Sequence, residues 1–382
     1  MAKKQKSKIE IRAVQPVKSE LRKYVQFGID LYHGNPYYVP PLVFDDINTL
    51  TPEKNPAFEF CRAQSFMAYR DNVAVGTITA IINNAANAKT GKKIVRFGFM
   101  DFIDDKDVVN ALFKAVEVWG RHNGMDTMVG PMGFTDMDPE GMLIEGFEEM
   151  GTMATIYNYP YYQRHMKRMG FVKEADWVEY RITVPDKVPD KYMRIADIVK
   201  RKFNLRVLEY TSRKRLKDEY GQAIFQLINN AYKDLYGFVE LTPRQIDHYI
   251  AMYLDMLRLQ DVALIVDAEG TLVGVGISMP SLSEALRRCE GKLFPTGWYY
   301  VLKAIRGGSD VVDLMLVAIR PDYQGKGVNA LLFSHLLPNY IKNGYKFAES
   351  NVELEGNENV QKQWEYFERR QHRRRRAWSR KI

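Results

Sequence analysis

Cysteine is nearly absent from this chain: there are two in 382 residues, Cys61 and Cys289. Two thiols so far apart exclude a disulfide framework and point to a reducing compartment. The six histidines show no metal-ligand spacing with cysteine or carboxylate, so no metal site is expected. No apolar run approaches the ~18 residues needed to cross a bilayer. The basic opening, Met1-Ala-Lys-Lys-Gln-Lys-Ser-Lys8, has no apolar stretch behind it and is not a secretory signal. A cytoplasmic location is the expectation. Acidic residues are missing from positions 369–382, which hold Arg369, Arg370, Arg373 to Arg376, Arg380 and Lys381. These eight account for the net charge of +8; the rest of the chain balances at 47 basic and 47 acidic groups. A general nucleic-acid-binding surface is therefore not expected. The tail itself is a candidate grip for RNA, a membrane surface or phosphates, or else a charged, solvated edge strand.

With 46% hydrophobic and 27% charged residues, the sequence reads as globular, and its length suits two domains. An internal echo supports that division. Val109-Asn-Ala-Leu-Phe113 recurs as Val328-Asn-Ala-Leu-Leu-Phe333, and a strand–turn–strand pattern at 66–79 recurs at 264–277. Pro185-Asp-Lys-Val-Pro189 breaks the pattern between them. The expected organisation is a flexible N-terminus at 1–8, a domain at 9–185, a linker helix at 186–203 and a second domain at 204–382. Strands and helices alternate twice in one order, which places the chain in the α/β class. One loop stands out: Gly130 to Gly146 holds four glycines and two prolines with acidic and apolar residues between them. It faces either a substrate or a packing surface.

The most informative stretch is Asp313 to Phe333. The apolar run Leu314–Ile319 predicts a buried strand. Arg320-Pro-Asp322 predicts a turn, and Gln324-Gly-Lys-Gly327 opens directly onto a helical pattern from Ala330. A strand that feeds a glycine loop at a helix N-terminus is an anion cradle, because free N–H groups and the helix dipole converge there. The lysine lies between the glycines, which does not fit a nucleotide-triphosphate loop. Two late glycines do not make a dinucleotide fingerprint. The matching place in the first repeat, Phe102-Ile-Asp-Asp-Lys-Asp-Val108, has three aspartates and no glycine, and would repel a phosphate.

The Gln324–Asn329 segment, with Pro321 before it, resembles the pyrophosphate loop of the GNAT acetyltransferase superfamily, Gln/Arg-x-x-Gly-x-Gly/Ala. Asn329 departs from that pattern. Asn357 and Asn359, followed by Tyr366, resemble the family's next helix, although the usual Gly-Phe after the tyrosine is Arg370-Gln371 here. The resemblance implies two GNAT-type units in tandem, each a mixed, mostly antiparallel sheet flanked by helices. It implies acetyl-CoA or another acyl-CoA as cofactor, held by Leu316, Val317, Ala318, Gln324, Gly325, Lys326, Gly327, Val328, Asn329 and Asn359. The N-terminal copy, with its acidic loop, is expected not to bind it.

Acyl transfer to an amine needs a held cofactor, a base and a stabilised thiolate. Asp313, at the head of the cradle strand, resembles the base of the histone-acetyltransferase branch, and it also reads as a solvated strand end. Glu349, Glu353 and Glu355 are rival bases, and period-two alternation puts all three on one face. Tyr366 is the candidate donor to the leaving thiolate. The expected activity is therefore acyl-CoA-dependent N-acylation, with acetyl as the first candidate acyl group, of a small-molecule or peptide amine. Two other readings stand beside it. One is an aminoacyl-tRNA-dependent transferase, which the Arg-rich tail favours through tRNA. The other is a non-catalytic acyl-CoA-binding protein.

Overall fold

A computed structural model describes residues 8–254 and 256–382, apart from the side chain of residue 359. Both repeats are built around an apolar hairpin, Cys61–Asn83 in one and Val262–Pro280 in the other. The first half supplies β1 (Glu10–Val14), β2 (Cys61–Arg70), β3 (Val73–Asn83), β4 (Ile94–Phe102), β5 (Thr127–Gly130), β6 (Met142–Glu145) and β7 (Val172–Thr183). The second half supplies β8 (Arg206–Leu208), β9 (Val262–Val266), β10 (Leu272–Pro280), β11 (Val311–Ile319), β12 (Phe347–Ser350), β13 (Glu353–Leu354) and β14 (Arg369–Lys381).

The chain forms two units. One holds residues up to Trp177 with Leu286–Trp298 and Arg373–Ile382; the other holds Val178–Ala285 and Tyr299–His372. The division therefore runs through β7 at Trp177/Val178, upstream of the Pro185–Pro189 break read from the sequence. Residues 1–7 of the expected flexible N-terminus lie outside the described residues. Both cysteines are free thiols, and the segment that carries Cys289 groups with the N-terminal unit.

In the N-terminal unit β1, β2, β3 and β4 are successive antiparallel neighbours, and β4 pairs parallel with β5. The sixth place is taken by β14, antiparallel to β5, with Trp378 opposite Gly130. Alternation sorts the two faces. Ile78, Ala80 and Ile82 join Val109, Leu112 and Phe113 of the helix Lys106–His122 in one core. Ile81 and Met67 join Leu21, Val25 and Ile29 of the helix Lys18–Leu31 on the other side. Each fully buried apolar side chain of this size contributes about 1.5–3 kcal/mol. Leu31, the last residue of that helix, is only half-buried.

The C-terminal unit repeats this order. β8, β9, β10 and β11 are successive antiparallel neighbours, β11 pairs parallel with β12, and β12 pairs antiparallel with β7. The echoed glycines fall in one register: Gly76 lies opposite Phe102, the last residue of β4, and Gly274 opposite Ile319, the last residue of β11. A Cβ at Gly76 would come within 2.7 Å of Leu112, so the missing side chain lets the helix close on the strand. The helix Asp190–Lys202, read as a linker, buries Tyr192, Ala196 and Val199 in the C-terminal core. Two short helices, Ser283–Cys289 and Gly297–Lys303, were not anticipated.

The Arg-rich tail is neither a free tail nor a solvated edge. From Arg373 it is a strand inside the N-terminal sheet, with Arg373 and Arg375 each 1% exposed. Those two donate to the carbonyls of Met150 and Ile156. Arg374 and Arg376 grip Asp176 at 3.1 and 2.7 Å. Burial pushes the Asp176 carboxyl up, but the two guanidinium bonds win and hold it below its usual range. Arg373 and Arg375 are thus turned inward onto acceptors of the chain itself.

Candidate functional site

The cradle stretch folds as its glycines require. β11 ends at Ile319, Pro321–Tyr323 forms one 3₁₀ turn, and the helix Val328–Lys342 starts immediately after Gly327. Gly325 and Gly327 have φ of +71° and +83°, in the left-handed region. Gln324 does not point at a ligand; its Nε2 donates to the Ile319 carbonyl at 3.0 Å and closes the loop on the strand. The Gln324, Lys326 and Ala330 N–H groups are used within the loop. Among the described residues, those of Gly325, Gly327, Val328 and Asn329 have no backbone acceptor. No side chain caps the helix. Four free N–H groups at the positive end of a 15-residue helix form an anion seat.

The rest of the cradle is cationic and aromatic. Lys326 lies 5.5 Å from the rings of both Phe203 and Tyr323. Arg320 is committed to Asp322 at 2.8 Å and Asp267 at 3.2 Å. The Asn329 side chain turns aside and donates to Gln363 Oε1 at 3.2 Å, leaving its backbone N–H at the seat. Val328 is buried beneath the loop. Asn359 lies in the helix Glu358–Gln361, and its side chain is outside those described.

β11 opens beside the cradle. It pairs with β12 only from Val311 to Leu314, and β12 ends at Ser350. On its other side the β10 ladder skips Met315, a bulge between the Leu314 and Leu316 pairs. Bulges re-aim side chains and are frequent beside active sites. Leu314 to Val317 are all half-exposed on this otherwise buried strand, while Ala318 is 1% exposed. The Met315 carbonyl accepts from Asn351 at 3.1 Å and the Val317 carbonyl from Tyr232 at 2.8 Å. The bulge, Asn351 and Tyr232 had no signal in the sequence, since each depends on pairing between distant segments.

The candidate acid–base groups separate. Glu349, Glu353 and Glu355 do not share a face, because β12 stops at Ser350 and β13 is a new two-residue strand. Glu349, 6% exposed, lies beside His372 at 2.9 Å and Arg181 at 3.4 Å, and is the register neighbour of Asp313. Asp313 is not a strand end in water; it is 5% exposed, in register between Met279 and Glu349. Glu355 is exposed. Glu353 is 8% exposed, and its Oε1 accepts from the Trp364 indole at 2.7 Å. Burial pushes its carboxyl up to about 7, against the opposing pull of Trp364 and Arg369. Tyr366 follows the short helix in a turn, half-exposed, with Lys191 Nζ 3.9 Å above its ring and Tyr192 at 5.8 Å.

The same architecture recurs in solved structures. A tandem GNAT protein from the clavulanic acid biosynthesis pathway superposes on 98% of this chain and 98% of its own, with a TM-score of 0.56 at 12% identity. The fold is that of the GNAT superfamily. Among curated sequences, Protein YghO of Escherichia coli (strain K12) is 28% identical over 312 residues, covering 80% of this chain and 78% of its own. Bacterial ceramide synthase of Caulobacter vibrioides is 27% identical over 316 residues, covering 82% and 81%. No protein-family model matches the chain. Within the GNAT frame, the two units carry the same strand order with different loops after the fourth strand. Among the described residues, no helix is long and apolar enough to cross a membrane.

Proposed function

We propose that the chain is an acyl-CoA-dependent N-acyltransferase whose C-terminal unit holds the cofactor. The observation that carries this reading is the run of free N–H groups from Gly325 to Asn329 beside the half-exposed, bulged β11. The N–H groups and Lys326 suit a pyrophosphate, and the open edge at Leu316–Ala318 suits an extended pantetheine arm with its own amides. When bound, acyl-CoA supplies the activated thioester. Glu353 is the acid–base group of choice, because a carboxyl that titrates near 7 is half ionised at neutral pH and accepts a proton from an ammonium-derived nucleophile. Asp313 is the second candidate, one residue before the strand opens. Tyr366 has an exposed phenol for the leaving thiolate.

The likeness to a bacterial ceramide synthase favours a long-chain acyl group over acetyl, since a ceramide is an amide that joins a fatty acyl chain to an amine. Calorimetric titration with acetyl-CoA, palmitoyl-CoA and tRNA decides the cofactor class. Palmitoyl-CoA is expected to bind more tightly than acetyl-CoA, and tRNA not to bind. Thiol release with pooled long-chain and small amines then reads turnover. Acyl-CoA binding without thiol release for any amine would leave a carrier of acyl-CoA in place of an enzyme.

A further inference from the structure

We propose that the N-terminal unit carries a binding site for a protonated organic amine, where the helix Val43–Thr49, strand β4 and the loop 130–146 bring Asp46, Asp101, Asp138 and Glu140 together beside a group of tyrosines. The inference stands apart from the acyl-transfer reading, since it concerns binding in the other unit.

Glu140 points to a ligand. It is 7% exposed, and its Oε2 finds no hydrogen-bond donor among the described residues. The charged groups around it are Asp136, Asp138 and Arg96. Burial and the neighbouring acids push its carboxyl well above the usual range, and a buried polar atom without a partner costs about 1–3 kcal/mol. The neighbouring acids form a continuous set. Asp46 faces Asp45, Asp138 and Asp101, and Asp138 faces Asp45 and Arg96. Lys89 also faces Asp136. Arg96 is the buried cation of the set, 5% exposed, and it already donates to the Gly133 and Phe134 carbonyls at 3.1 and 3.3 Å. Positive charge is therefore in deficit.

The acids are seated, not scattered. A Cβ at Gly28 would lie 2.4 Å from Asp101 Oδ2, and one at Gly133 would lie 2.2 Å from the Asp138 Cβ, so two carboxylates occupy places kept open by glycine. Tyr32 and Tyr162 donate to Asp101 at 2.8 and 3.0 Å. Tyr32 packs on Tyr38 and Tyr159 with ring centroids at 4.5 and 5.0 Å. Aromatic faces beside carboxylates attract an ammonium through both charge and quadrupole. β4 itself is bulged here, with Phe99 at φ +45°. Strained backbone of this kind gathers at ligand sites. Among the described residues, no group of three or more acids, histidines or cysteines has the geometry to hold a metal ion, which favours an organic cation.

The titration of these acids agrees. Burial, with like charges added, pushes Asp46 up to about 8, and burial pushes Asp101 up to about 7 against its tyrosine donors. At pH 7 Asp46 is largely and Asp101 about half protonated, while Asp138, at about 6, is mostly ionised. An arriving ammonium favours the ionised forms, so its binding should expel protons.

The test titrates n-octylamine and n-octanol into the full chain at pH 7, in two buffers of different ionisation heat. The expected result is saturable, single-site binding of the amine with proton release and no binding of the alcohol. Asp46→Asn and Glu140→Gln should each weaken amine binding at least tenfold. Gly325→Asp, in the other unit, should leave it unchanged. Equal binding of octanol would reduce the site to an apolar surface, and competition by Mg²⁺ would make it a metal site; either overturns the proposal. So would wild-type affinity in both carboxamide variants. Should one variant fail to fold, the other and the amine–alcohol contrast still decide.

Discussion

The two units differ in a telling way at the connection between the fourth strand and the helix that follows it. In the N-terminal unit three residues, Ile103–Asp105, join β4 to its helix; in the C-terminal unit eight, Arg320–Gly327, join β11 to its own. The short connection ends in Asp105, whose carboxylate caps the helix by accepting from the Asp107 N–H at 2.8 Å and pairs with Arg70 at 2.9 Å. Asp104 is held by His165 at 2.8 Å and Arg164 at 2.5 Å. The long connection ends in Gly327 and leaves its helix uncapped. One helix satisfies its positive end with its own side chain, and the other leaves that end for something else. Both fourth strands keep a bulge, at Gly98–Asp101 and at Met315, so the divergence lies in loop chemistry and not in the sheet.

Catalysis should break the comparison most sharply. Glu353→Gln should leave acyl-CoA binding intact and lower turnover by about 10²–10⁴-fold, the usual worth of a positioned base. A base must be unprotonated, so kcat should rise with pH through about 7 and level off above it. Asp313→Asn should have the smaller effect; the reverse ranking in steady-state assays would move the base to Asp313.

The anion seat gives the next effect. Gly325 has open space around it, and Asp tolerates a left-handed backbone better than most residues. Gly325→Asp should therefore fold and weaken acyl-CoA binding by about a hundredfold, the order expected for a like charge beside a partly desolvated phosphate. Gly327→Asp is the poorer probe, because a Cβ there meets Val199 at 3.1 Å and Ile195 at 3.3 Å. It should lower the melting temperature as well. Unchanged affinity by calorimetry in Gly325→Asp would remove the cradle from the proposed function.

Stability against pH should sharpen the comparison only by degree, since Glu353 in the C-terminal unit also retains a proton. Asp46 and Asp101 hold protons in the folded chain that the unfolded chain has already released above pH 4. Stability should therefore fall as pH rises from about 4 to 8, by about 1.4 kcal/mol per pH unit for each proton retained. Asp46→Asn should flatten that slope in thermal melts taken across the range. The smallest effect belongs to the cap: Asp105→Ala should cost about 1 kcal/mol, read as a small drop in melting temperature, without conferring acyl-CoA binding on the N-terminal unit.

Much of the fold was legible because it is local. The hairpins announced themselves by alternation and glycine, and the cradle by a strand, two glycines and a helical pattern in unbroken sequence. Pairing between distant segments was not legible. The bulge at Met315 exists only against β10, and the environment of Glu353 only against Trp364. Alternation failed for the glutamates because it assumed one continuous strand where Asn351 and Val352 interrupt it. Charge misled at the tail, since a run of arginines reads as solvated until Asp176 and the carbonyls of Met150 and Ile156 are seen to receive it. Tyr366 was assigned from a motif whose helix ends five residues earlier, at Gln361.

The placement of Arg373–Ile382 has a consequence for synthesis. The N-terminal sheet lacks its sixth strand until those residues leave the ribosome, and about 195 residues, Val178 to His372, are made in between. At roughly 5–20 residues per second that is a wait of about 10–40 s. Throughout it β5 presents an unpaired edge, the kind that recruits foreign strands. A chaperone that shields Thr127–Gly130 in the nascent chain would therefore raise the yield of folded protein more than one that acts after release.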